Sequence, residues 1–283
     1  MKKFVCTINF EDEFKISEKL IRDLNIKDPK TLHEDINIMY EIAMELEDNG
    51  WIILPMCSTL ISEALGADVK LSLGGARIKE EKYKLKEEIS TLFNKKINKE
   101  CKRLSVMMEL LEKLSSNGKH VIYGIEGPFS LLSSLIPIGK MFSTLRKDKE
   151  GKLLLNAKKW VLEYAFMAIE NGAEVISYAD PIASIDIIGE KMFKEVYVPI
   201  CKSIIDELKE NYPEIVIHLC GKLTQSMIDT DCCDITKKTY SEKNSYGEVM
   251  REYVKNNERK LIGHYCLNLL NNNRNYLEFI SWK

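Results

Sequence analysis

His218 and Cys220 stand two positions apart in His218-Leu219-Cys220-Gly221, directly after the apolar run Ile215-Val216-Ile217. Alternate side chains of a strand share a face, so an imidazole and a thiol leave one strand end side by side. Gly221 breaks the strand behind them. Imidazole and thiolate are ligands that zinc takes in tetrahedral sites, and a catalytic zinc keeps one position open for substrate. A third soft donor, Cys266, closes another apolar stretch in Leu261-Ile262-Gly263-His264-Tyr265-Cys266. His264 ranks below it because it alternates to the other side. Glu242 or Asp234, near the end of the intervening strand, is the candidate fourth ligand or else a solvated surface acid. The competing reading of the whole set is a hydrogen-bonded core histidine with two packing cysteines.

Two further stretches combine acids with turn residues at strand ends. Asp180-Pro181-Ile182-Ala183-Ser184 is either an active-site loop led by Asp180 or a turn that Asp180 caps. Gly124-Ile125-Glu126-Gly127-Pro128-Phe129 lets a ligand approach closely at its glycines, and Glu126 can act on a metal or a proton; the alternative is a strand-to-helix turn. It lacks the Lys-Ser/Thr of a phosphate loop. Leu73-Gly74-Gly75-Ala76-Arg77 reads as a mobile turn. Cys232 and Cys233 face opposite sides of a strand and do not chelate together. Cys6, Cys57, Cys101 and Cys201 read as small buried hydrophobes.

The elements that position these groups alternate. Strands are expected at Trp51–Pro55, His120–Gly124, Glu174–Tyr178, Ile215–Leu219, Cys233–Tyr240 and Lys260–Tyr265. Helices are expected at Leu32–Asn49, Leu60–Gly66, Phe129–Phe142 with an interruption near Pro137, Lys158–Asn171, Phe193–Asn211 with a kink at Pro199, Thr224–Asp229 and Tyr246–Asn256. A charged, interrupted helical region covers Lys79–Ser116. Alternation of this kind predicts a parallel α/β fold, and chemically useful residues at strand ends suggest a (β/α) barrel. Six strands, two short of eight, leave closure open.

The chain has 283 residues, 45% of them apolar, and a net charge of −2. That length suits one (β/α) barrel domain, with 1–34 as a short N-terminal extension. The charge gives no footprint for nucleic acid. No stretch is long and apolar enough for a membrane span, and Met1-Lys2-Lys3-Phe4-Val5-Cys6 lacks the apolar core of a signal peptide. The eight cysteines show no small-domain disulfide spacing, so a reducing, cytoplasmic setting is expected.

Four stretches carry a resemblance to the uroporphyrinogen decarboxylase-like superfamily, in its cobalamin-dependent (methylcobamide:coenzyme M methyltransferase-like) branch. They are Leu54-Pro55-Met56-Cys57 with Ser62-Glu63-Ala64-Leu65-Gly66-Ala67, then Glu126-Gly127-Pro128-Phe129-Ser130-Leu131, then Asp180-Pro181-Ile182-Ala183-Ser184, and His218-Leu219-Cys220-Gly221. Each is modest alone; their order is specific, and the likeness runs over about residues 35–266. The resemblance implies a TIM-type (β/α)8 barrel with zinc at its mouth, held by His218, Cys220 and Cys266. It implies Asp180 and Glu126 as catalytic acids and Gly127 and Ser184 beside the cofactor. It implies transfer of a methyl group from a methylated corrinoid, a methylcobamide, to a thiol or similar small acceptor. No Asp-x-His-x-x-Gly corrinoid motif occurs, so a partner corrinoid protein would supply the donor. The units at both ends look shortened relative to this family, so either the barrel is irregular or another chain completes it. The alternatives are a non-catalytic corrinoid-binding or scaffolding protein and a methionine-synthase-like methyltransferase acting on homocysteine.

Overall fold

The structure, a computed structural model, describes residues 16–240, 242–256 and 261–283. Cys6 and the N-terminal segment around it lie outside the described residues, as does Lys260. In chain order the elements are α1 (Glu18–Asp23), α2 (Pro29–Glu34), α3 (Ile36–Glu45), β1 (Trp51–Leu54), α4 (Leu60–Ala64), β2 (Asp68–Ser72), β3 (Gly75–Glu80), α5 (Lys86–Thr91), α6 (Lys102–Ser116), β4 (His120–Glu126) and α7 (Pro128–Leu135). Then follow α8 (Ile138–Lys147), α9 (Lys152–Glu170), β5 (Val175–Ala179), α10 (Ile185–Met192), α11 (Val198–Asn211), β6 (Val216–Cys220), α12 (Gly221–Asp229), β7 (Cys233–Thr239), α13 (Tyr246–Lys255), β8 (Leu261–Tyr265) and β9 (Tyr276–Trp282).

All six expected strands form. The main sheet runs β1-β4-β5-β6-β8-β9-β7, and the first five strands are parallel. Their near-continuous apolar runs suit strands covered on both faces. Trp51, Ile122, Val175, Val216 and Ile262 point to one face, and their neighbours Ile52, Val121, Ile176, Ile217 and Leu261 to the other.

The fold is of the TIM-barrel type, but among the described residues the barrel does not close on eight strands. Among the described residues β1 pairs only with β4, and β7 only with β9. β7 does not join its sequence neighbour β6. Instead β8 pairs directly with β6, and β9 enters antiparallel between β8 and β7. The C-terminal unit, expected to be shortened, ends in this antiparallel strand. α13 packs on the face that a closed barrel would turn inward, through Tyr246, Val249, Met250 and Tyr253. It bridges the open side: Trp51 Nε1 on β1 donates to Gly247 O at 3.0 Å, and Tyr253 meets the Phe279 ring of β9 at 5.5 Å.

Three local expectations are corrected. The stretch Leu32–Asn49 is two helices, because the Asp35 carboxylate accepts from Asn37 N and Ile38 N and starts α3 anew. The bend expected at Pro199 lies earlier, at Gly189 (φ 76°) and a π-helical turn over Phe193–Tyr197; Pro199 sits in the first turn of α11, where its missing N–H costs nothing. Leu73-Gly74 is the turn of the β2–β3 hairpin, so Gly75-Ala76-Arg77 opens a strand.

Candidate active site

Strand register sets the site. Glu126, Ala179 and Cys220 pair across β4, β5 and β6 in one row, since Glu126 aligns with Ala179 and Tyr178 with Leu219. Tyr265 continues the row on β8. One step deeper on the same face lie Gly124, Ser177, His218 and Ile262. The C-terminal strand ends therefore bring Glu126, His218 and Cys220 to one face. Glu126 and Cys220 are two strand spacings apart, about 10 Å.

His218 is buried at 1% exposure. Its Nε2 meets the Tyr246 hydroxyl of α13 at 3.1 Å, and its Nδ1 is buried with no hydrogen-bond partner. Burial, reinforced by the charge of Arg274, pushes its pKa down to about 3. The ring is therefore neutral near pH 7 and carries an unshared pair. Cys220 follows, half-buried, at the start of α12.

A bulge shapes the neighbouring strand. Leu219 pairs with Gly263 but Cys220 with Tyr265, so His264 is the extra residue, and it takes a left-handed backbone (φ 59°). Simple alternation fails here. His264 Nδ1 meets Glu278 Oε2 at 2.8 Å and its Nε2 meets Gln225 Oε1 at 3.1 Å, so neither nitrogen is left for a metal. Thr224 Oγ1 locks the bulge: it donates to Cys220 O at 3.1 Å and accepts from His264 N at 3.2 Å. Cys266, buried, follows Tyr265, the register partner of Cys220. Asp234 is on the far edge strand, exposed and paired with Lys283, and Glu242 is exposed.

Among the described residues no three His, Cys, Asp or Glu side chains stand grouped as a metal cage. The donor chemistry nonetheless fits zinc. One buried imidazole nitrogen lacks a partner, and two cysteines outside any disulfide lie at adjacent strand ends.

The other two motif loops interlock. Asp180 is buried at 2%, and its carboxylate accepts from Phe129 N at 3.0 Å, Ser130 N at 2.8 Å and Ser130 Oγ at 2.7 Å. Its side chain caps the first turn of α7 from across the mouth, while its backbone carbonyl accepts from Ala183 N at 3.0 Å in the turn that follows it in sequence. Burial raises its pKa to about 6, against the Ser130 and Phe129 hydrogen bonds that lower it. Gly127 makes this approach possible: a Cβ there would lie 2.3 Å from Asp180 Oδ2 and 2.5 Å from the Tyr178 hydroxyl. Ser184 is buried, and its hydroxyl has no partner. Glu126 faces a pocket of about 190 Å³ whose walls include Thr59, Ser130, Ser133 and Ile182.

Two features escaped the sequence reading. Tyr246 touches His218 across 28 positions, and the Arg274 guanidinium lies over Tyr265 and Tyr276 at 4.2 Å from each ring. Cys57, read as an incidental core residue, accepts from buried Arg103 Nη2 at 2.7 Å, while Arg103 Nη1 pairs with Glu63 at 2.6 Å. The capping box of Ser245 and Glu248 marks the helix that carries Tyr246, but no local pattern marks its contact with His218.

Comparison with known proteins bears on the family and the fold. Methylcobamide:CoM methyltransferase MtbA of Methanosarcina mazei is 27% identical over 188 residues, covering 63% of this chain and 54% of that protein. Methylcobamide:CoM methyltransferase MtaA of Methanosarcina barkeri is 24% identical over 223 residues, covering 75% of this chain and 64% of that protein. The chain thus spans between half and two thirds of the length of these relatives. A solved methyltransferase from Methanosarcina mazei superposes with a TM-score of 0.59 at 19% identity, covering 75% of this chain and 65% of that one, which shows a shared fold. The sequence profile described as Uroporphyrinogen decarboxylase (URO-D) matches residues 22–272. The match takes in the β4, β5 and β6 strand ends with their loops, and this chain belongs to the uroporphyrinogen decarboxylase (URO-D) family.

Proposed function

We propose that the chain is a methyltransferase that moves a methyl group from a methylated corrinoid, carried by a partner protein, to a small thiol. One observation carries this reading: a buried, neutral His218 with one nitrogen held by Tyr246 and the other unpaired, on the strand face that also presents Cys220. His218, Cys220 and Cys266 would hold a zinc ion, which makes a bound thiol lose its proton near neutral pH. Relatives named methylcobamide:CoM methyltransferases support the donor and the thiol class.

The chain's own residues divide the remaining work. Tyr246 holds the His218 ring at Nε2, and burial, helped by the Arg274 charge, keeps that ring neutral. Asp180 holds α7 against the β5 loop, so its oxygens are engaged and Glu126 is the acid that faces the pocket. A methylated corrinoid, when bound, would supply the methyl group to the acceptor's sulfur and would keep the carbon–cobalt electron pair. No helix among the described residues is long and apolar enough to cross a membrane.

The test pairs metal content with turnover. The purified protein should hold about one zinc per chain, absent from Cys220→Ala. Methylcobalamin should be consumed in the presence of a thiol, seen by its absorbance, by the wild type and not by the variant. A wild type that stays metal-free after zinc is supplied under reducing conditions, or a variant with full turnover, overturns the reading.

A further inference from the structure

A second cavity, of about 420 Å³, lies between α5 and α8 and shares no wall residue with the pocket beside Glu126. Its walls are two matched helix faces. Lys86, Ile89, Ser90 and Phe93 come from α5 and the 3-10 turn Leu92–Asn94 that continues it. Lys140, Ser143, Thr144 and Lys147 come from α8. Both sets repeat at i, i+3, i+4 and i+7, the spacing of one helix face. Ile89 is buried and Phe93 half-buried, which gives the groove an apolar floor. The Lys140 ammonium donates to the Lys84 carbonyl, so the two helices start side by side. Lys84, Lys86 and Lys140 therefore gather at one end, while Phe93 and Lys147 lie two turns, about 10 Å, further along.

The nearby acids are engaged. Lys84 pairs with Glu80, and Glu88 Oε2 accepts from Lys84 N at 2.8 Å and Leu85 N at 2.7 Å. Asp148, the acid in the wall, accepts from Leu153 N at 2.8 Å. Among the described residues no carboxylate lies within ion-pair distance of Lys86, Lys140 or Lys147. Two of these cations also work against their helices. Lys86 is the first residue of α5 and Lys140 the third of α8, and the helix dipole disfavours positive charge in a first turn. Helix stability does not account for their placement; an anion held between them does.

We propose that the groove between α5 and α8 binds a nucleoside diphosphate, with its phosphates at Lys86 and Lys140, its sugar beside Ser143 and Thr144, and its base on Phe93. The volume is that of a small-molecule site, and a partner helix about 10 Å across does not fit it. The cations at one end suit phosphate, and the half-buried ring at the other suits a flat base. The assignment is independent of the proposed methyl transfer, whose residues lie elsewhere.

Calorimetric titration of ADP into the purified full chain, near pH 7 and without divalent cations, tests this site. ADP should saturate one site per chain. Pyrophosphate and adenosine, which each lack one end of the ligand, should bind at least about tenfold more weakly. Lys86→Glu, at an exposed position, should weaken ADP about tenfold or more and leave adenosine unchanged. Phe93→Leu should weaken ADP and adenosine about threefold and leave pyrophosphate unchanged. Lys149→Glu, exposed and outside the wall, should stay within about twofold of wild type, and Cys220→Ala should bind ADP as wild type does. Absence of saturable ADP binding overturns the proposal, as does pyrophosphate that binds as tightly as ADP. A loss in Lys149→Glu equal to that in Lys86→Glu shows a diffuse surface field and overturns it too. A glutamate-rich peptide that binds more tightly than ADP assigns the groove to an acidic protein segment and likewise overturns it.

Discussion

The two sides of the mouth are built in opposite ways. Between β4 and β5 the motif loops satisfy each other: Gly127 lets Asp180 in, and Asp180 takes up the N–H groups of Phe129 and Ser130 and the Ser130 hydroxyl. Between β6 and β8 a buried imidazole nitrogen is left unpaired near two cysteines that form no disulfide. The contrast teaches that a recognisable motif need not carry the reaction. Asp-Pro-x-Ala-Ser and Gly-Pro-Phe form a frame, whereas His-x-Cys presents one imidazole nitrogen, His218 Nδ1, with no hydrogen-bond partner. Substitutions on the first side should change stability, and those on the second should change binding.

Gly127→Ala should give the largest loss. Its Cβ would collide with both Asp180 and Tyr178, and neither is the free end of a flexible surface chain. Overpacking of that kind costs about 3 kcal/mol, the upper end of the usual range, and here it also separates the α7 cap. Denaturant titration reads the change; a variant within about 0.5 kcal/mol of wild type would break the view of this side as an interlocked frame.

Cys220→Ser tests the opposite side. Zinc affinity should fall by about 100-fold or more, measured by competition with a chromophoric chelator, because a serine hydroxyl does not replace a thiolate on this ion. Folding stability without metal should stay within about 0.5 kcal/mol, since the thiol is only half-buried. If stability falls and affinity does not, Cys220 belongs with the frame.

Asp180→Asn should cost about 2 kcal/mol, because its amide turns a donor toward one of three donors. The two sides also respond to pH with opposite sign. Asp180, raised to about 6 from 3.8, favours folding below about pH 3.8 and loses that contribution as pH rises through 6. His218, lowered from 6.5 to about 3, contributes stability above 6.5 and loses it as pH falls toward 3. Stability measured from about pH 4 to about pH 6 should therefore rise more steeply with pH in Asp180→Asn and less steeply in His218→Asn than in wild type. Slopes that move together would remove the distinction.

The frame was partly legible because it follows local rules. Short apolar runs gave the five parallel strands and the order of the helices, and Pro137 divided α7 from α8 as expected. β9 was missed although Leu277 and Phe279 alternate with Glu278, because its antiparallel return follows an Asn-rich link that holds only a single 3-10 turn, Leu267–Leu269. His264 was misplaced because period-two alternation cannot foresee a bulge, which Thr224 and the close Gly263–Leu219 approach set through tertiary contacts. Asp180 was read as a local cap or a catalytic acid; its partners lie about 50 positions away, and only the fold brings them together.

Ser184 is the residue on which frame and chemistry diverge within a single side chain. It lies in the Asp-Pro-x-Ala-Ser loop, at 2% exposure, yet its hydroxyl has no partner, unlike those of Ser130 and Ser133. A frame residue should be satisfied, because a buried unpaired hydroxyl is a net cost. Ser184→Ala should then leave the fold intact or stabilise it by about 1 kcal/mol, the smallest change in this series. If the hydroxyl instead serves the methylated corrinoid or the acceptor, the same variant should bind that ligand severalfold more weakly while it melts no lower. Greater stability with weaker ligand binding would move Ser184 from the frame to the chemistry. Reduced stability with unchanged binding would mean that its hydroxyl finds a structural partner in solution, and that the interlocked side extends to the end of the β5 loop.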